Sequence, residues 1–87
     1  MKTALIKKLY AEGRVRIEYD ITCNIQDKRV HFASTGIMQL NSIGVIRITG
    51  GDGFITHYQP KSFEDAVAWL GRFTHIAEYN EAIRMRA

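Results

Sequence analysis

The chain has 87 residues, 46% of them apolar and 24% charged, with 12 basic and 9 acidic side chains and a net charge of +3. That length fits one domain over 1–87 that buries only about 60 to 65% of the surface its unfolded form exposes, which leaves little room for a large internal cofactor or a deep cleft. The composition is globular rather than disordered, and acids interleave with the bases (Glu12 beside Arg14, Glu18 and Asp20 after Arg16, Asp27 before Lys28 and Arg29), so no basic stripe marks a dedicated nucleic-acid binder.

From the N-terminus, Leu5, Ile6, Leu9 and Tyr10 fall at helical spacing, with Lys2, Lys7 and Lys8 largely off that face and Gly13 where a helix C′ residue belongs. The spacing predicts a short helix; a strand running into the next one is the competing reading. Lys7 and Lys8 interrupt any signal-length apolar run, and no stretch approaches the roughly 20 apolar residues of a membrane span. The expectation is a soluble, cytoplasmic protein.

Arg14 to Ile25 alternates throughout, with Val15, Ile17, Tyr19, Ile21, Cys23 and Ile25 on one side and Arg14, Arg16, Glu18, Asp20, Thr22 and Asn24 on the other. This is the period of an antiparallel strand with one face on a core and one in water. A helix would scatter the same apolar groups around its whole surface. Cys23, the single cysteine, cannot form an internal disulfide and reads as a buried free thiol in a reducing compartment.

Gln26-Asp27-Lys28 supplies turn residues, and Arg29 to Ser34 resumes the extended pattern with Val30 and Phe32 in phase, as in a hairpin. Gly36 suits a bulge or bend before Ile37 to Leu40, unless that stretch is a loop over the core edge. Val45 to Thr49 is a third strand, Gly50-Gly51-Asp52-Gly53 the strongest turn signal, and Phe54 to Gln59 a fourth strand ended by Pro60. Ser62 opens a helix with Glu64 and Asp65 in its first turn and an apolar stripe of Phe63, Ala66, Val67, Leu70 and Phe73. A second helical stretch is expected over Ile76, Tyr79, Ala82 and Ile83, leaving one kinked C-terminal helix or two. The predicted fold is α+β: a four-stranded antiparallel meander with an N-terminal helix and one or two C-terminal helices packed on one face.

No catalytic constellation emerges. His31, His57 and His75 match no zinc spacing; Gly50 to Gly53 joins two strands, lacks a following helix N-terminus and carries Asp52, unlike a phosphate loop; Ser34 and Thr35 lack a nucleophile elbow. No enzyme activity, metal or cofactor is therefore expected. What remains is surface. The polar half of the first strand, Arg14, Arg16, Glu18 and Asp20, joined by Arg47, His57 and Tyr58, is the candidate partner-binding set, suited to a larger protein or nucleoprotein complex. Small proteins of phages and mobile elements that inhibit host defence machinery, including anti-CRISPR proteins, are similar in size and layout, an analogy of class that rests on no motif. By that analogy the chain is a non-catalytic inhibitor or regulator, monomeric or homodimeric. The alternative is a weakly basic nucleic-acid-binding or transcription-regulating module using Lys7, Lys8, Arg14, Arg16, Lys28 and Arg29. The fold also leaves edge strands open to β-augmentation.

Overall fold

The computed structural model describes residues 2–80. Lys2–Glu12 forms helix α1, whose Leu5, Ile6 and Leu9 are buried, and the Gly13 N–H closes it by donating to the Leu9 carbonyl at 2.6 Å. Gly13 has φ 77°, left-handed backbone that glycine adopts without a Cβ penalty. Strand β1 spans Arg14–Ile25, as the alternation requires, and β2 spans Lys28–Leu40. Gln26 and Asp27 between them have φ 51° and 64°, so the connection is a two-residue turn with both central residues left-handed.

β3 (Ile46–Gly50) and β4 (Ile55–Tyr58) continue the meander. Helix α2 (Phe63–Trp69) is capped by the Ser62 hydroxyl, which accepts from the Asp65 N–H at 3.0 Å, and a single 3-10 turn, Leu70–Arg72, ends it at the residues where Gly71 weakens helical propensity. The sheet then gains a strand that the sequence reading assigned to helix: His75–Glu78 is β5, antiparallel to β1. The order β4-β3-β2-β1-β5 makes five strands among the described residues rather than four, with β1 between β2 and β5. A helical phase and a strand phase both bury Ile76, and the open edge of β1 decided between them. Thr74 N–H donates to Asp20 O and Tyr79 N–H to Arg16 O, so pairing along β1 satisfies backbone groups that a helix here would leave exposed at a sheet edge. Ala82 and Ile83, the rest of that expected helix, lie outside the described residues.

The expected bulge at Gly36 is absent, since β1 and β2 pair in unbroken register from Arg14↔Gln39 to Ile25↔Lys28. Glycine is needed there for close approach instead: a Cβ would run into the Thr49 carbonyl of β3. Both described helices lie on one face. Val15, Ile17, Tyr19, Ile21, Met38, Ile46, Ile48 and Ile76 from the sheet meet Leu5, Ile6, Leu9, Ala66 and Leu70 from the helical layer in one buried cluster. The described residues form a slab of 38 × 32 × 19 Å, the shape of two layers. Among the described residues no helix is long and apolar enough to cross a membrane.

Candidate functional site

The alternation of β1 decides which side chains reach the face that neither described helix covers. Arg14 stands opposite Gln39, Gln39 opposite Arg47, and Arg47 opposite His57, a polar row crossing β1 to β4. Two residues along the strands the next row reads Arg16, Ile37, Thr49 and Ile55. Beyond it come Glu18 with Thr35 and Ala77, then Asp20 with Ala33 and His75. Tyr79, just past β5, places its ring under the Arg16 guanidinium, 4.9 Å from carbon to centroid.

This face is electrostatically divided. Its acids have imidazole partners: Asp20 Oδ1 lies 2.5 Å from His31 Nε2, and Glu18 Oε2 lies 2.9 Å from His75 Nε2. Its guanidinium groups do not have carboxylates, for none of the ion pairs among the described residues engages Arg14, Arg16 or Arg47. All three arginines and His57 are exposed. The structure therefore collects Arg14, Arg16, Arg47 and His57 at one end of the open face, with Glu18 and Asp20 farther along it.

Tyr58 belongs elsewhere. It is in phase with Ile46, on the helix side, where its ring stacks on Trp69 at 5.3 Å and its hydroxyl donates to Asp65 Oδ2 at 2.8 Å. The bond to Asp65 holds the phenol proton and raises the Tyr58 pKa. Asp65 also accepts the Lys61 N–H at 2.8 Å, and that backbone bond together with the phenol lowers the pKa of its carboxyl. With one methylene fewer than Glu, Asp65 reaches Lys61 rather than closing a capping box on Ser62. This cluster anchors α2 to β4.

The residues of the nucleic-acid alternative are dispersed over the molecule. Lys7 is exposed on α1, and Lys8 is bonded to Glu78 with Glu12 at 3.9 Å, which raises its pKa chiefly through the Glu78 bond. Both stand on the helical layer, whereas Arg14 and Arg16 face away from it. Lys28 and Arg29 sit at the β1–β2 hairpin tip, opposite Ile25 and Asn24. No single groove joins these groups.

The glycine-rich turn after β3 is tied to the core rather than offered as an anion cradle. The buried Tyr19 hydroxyl donates to Asp52 Oδ1, which also accepts the Phe54 N–H at 3.3 Å. Cys23 is half-buried, because the hairpin outruns the helices: twelve strand residues extend about 40 Å, against roughly 16 Å for the eleven of α1. Among the described residues no group of three or more His, Cys, Asp and Glu converges as a metal set.

Gln39, Asn41, Ile37 and Tyr79 are members of this face that the sequence reading passed over. Counting outward from a two-residue Gln26-Asp27 turn pairs Gln39 with Arg14 and Ile37 with Arg16, so their position was recoverable from the hairpin. Tyr79 was not, because its place depends on β5. The sequence matches no family model, and neither the curated proteins nor the solved structures compared with it include a match.

Proposed function

We propose that the chain is a non-catalytic protein-binding module whose recognition surface is the open face of the sheet, acting as a small inhibitor or regulator that occupies a surface of a larger protein or nucleoprotein assembly. The observation that carries this reading is the charge division of that face: among the described residues, three guanidinium groups have no carboxylate partner while Glu18 and Asp20 are paired with histidines. Arginines held on a sheet beside exposed Ile55 and half-buried Tyr79 have the composition of interface anchors. The mode of action would be steric and electrostatic blockade, the manner of phage and mobile-element inhibitors of comparable size.

Affinity capture from a cell extract with the tagged protein, in parallel with and without nuclease, tests this. The expected result is a protein partner that survives nuclease and whose affinity falls about tenfold or more with Arg16→Glu, since reversing an interface charge costs well over 1.4 kcal/mol. Partners that vanish on nuclease treatment would replace this reading with the nucleic-acid one.

A further inference from the structure

The open face contains a depression of about 610 Å³ between the ends of β2, β3 and β4, and its polar lining is made only of groups that can donate: Gln39, Asn41, Arg47 and His57. Among the described residues no carboxylate lines it. Its Arg47 stands directly opposite His57 across the β3–β4 ladder, a guanidinium against an imidazole, which brings neither side chain a charge partner. The pocket's far wall is the turn from 41 to 45, and it is fixed in place. Asn41 Oδ1 accepts the Ile43 N–H at 3.0 Å and the Val45 N–H at 2.9 Å, while Gln59 Nε2 donates to Ile43 O at 2.9 Å. Two backbone donors on one atom identify that atom as the oxygen, so the Asn41 Nδ2 hydrogens remain for a ligand.

We infer that this depression is the anchor pocket of the open face and takes the carboxylate of an acidic side chain on the protein partner. The inference rests on the reading of that face as a protein-binding surface and names what is bound there. Arg47 gives the paired N–H donors that match a carboxylate, Gln39 and Asn41 add neutral donors, and the His57 ring offers an N–H in either protonation state. Val45 and Ile55 in the lining give the methylenes of a Glu side chain apolar contact. A phosphodiester backbone fits less well. The row from Arg14 to His57 spans three strand spacings, roughly 14 Å, and Glu18 lies only two residues beyond Arg16, about 7 Å along β1, so a strand of phosphates continuing over the face meets carboxylates.

The test is a titration of the isotopically labelled full chain, followed by amide and side-chain NMR shifts at low salt. The probes are a short acetylated, amidated peptide containing two Glu residues, the same peptide with Gln in their place, and a single-stranded oligothymidylate. The expected result is saturable movement of the Arg47, His57 and Asn41 Nδ2 signals with the Glu peptide, at least about tenfold weaker with the Gln peptide and with Arg47→Ala, as for loss of a charge-assisted pair. No movement at these positions, equal movement with both peptides, or tighter binding of the oligothymidylate would each overturn it. Capture experiments separate the two levels. If Arg16→Glu loses the captured partner while Arg47→Ala and His57→Ala keep it at parental affinity, the pocket assignment fails and the open-face reading stands; if none of the three affects capture, the open-face reading fails as well.

Discussion

Tyr19 shows how much one side chain of β1 contributes. Its ring is buried between Phe54 and Phe73, and its hydroxyl ends on Asp52, so one residue joins the core to the glycine-rich turn. Removing that hydroxyl with Tyr19→Phe should cost about 1 to 2 kcal/mol in urea unfolding, the worth of a hydrogen bond to a charged acceptor. Burial first, and then the bond to Asp52, raise the pKa of the Tyr19 phenol. A pKa raised by folding means that the unfolded chain ionises first as pH climbs. The stability Tyr19 supplies is thus intact below about pH 10 and is lost progressively above it, so the gap between parent and Tyr19→Phe should narrow in unfolding curves taken at higher pH. Ile17, fully buried on the same face, has no polar role, and Ile17→Ala should cost roughly 2 to 5 kcal/mol by leaving a cavity.

The strands and their turns carry the next set of constraints. Gly50 closes β3 directly beneath Tyr19, and a β-carbon there would overlap the Tyr19 hydroxyl. Gly50→Ala should therefore destabilise by about 1 to 3 kcal/mol, through overpacking and loss of the Asp52 bond, measurable as a lowered urea midpoint. The β1–β2 turn offers the opposite case. Gln26 and Asp27 both hold left-handed backbone without being glycine, at a steric cost that Asn-Gly avoids. The double substitution Gln26→Asn and Asp27→Gly should raise stability by about 1 kcal/mol and leave the register, read from cross-strand amide contacts, unchanged. The strand reading of Arg14 to Ile25 was legible because period-two alternation over twelve residues has no helical solution. The stretch over Ile76 and Tyr79 was too short for its period to decide, and the vacant edge of β1 settled it.

At the largest scale, the decisive arrangement is that both described helices pack on one face of the five-stranded sheet formed by the described residues. One consequence is the gathering of Arg14, Arg16, Arg47 and His57, which come from β1, β3 and β4, on the other face. These arginines are exposed and make no structural ion pairs among the described residues, so Arg16→Glu should shift unfolding free energy by no more than about 0.5 kcal/mol beyond the loss of its contact with Tyr79. The same variant carries the binding loss expected above, and the contrast between an unchanged fold and a weakened complex is what distinguishes a recognition residue from a structural one.

By itself the sequence determined the two-faced first strand, the hairpin and meander, the helix caps at Gly13 and Ser62, and the polar identity of one sheet face. All of these follow from local rules: side-chain period, left-handed backbone and first-turn hydrogen bonding. Period two also sets Tyr58 on the side opposite its neighbour His57. Tertiary structure alone decided that residues 75–78 join the sheet and that, among the described residues, histidines rather than arginines pair with Glu18 and Asp20. Each of those depends on contacts between segments far apart in the chain, where pairing register and the side a helix covers fix the neighbours, and no pattern within a single segment encodes them.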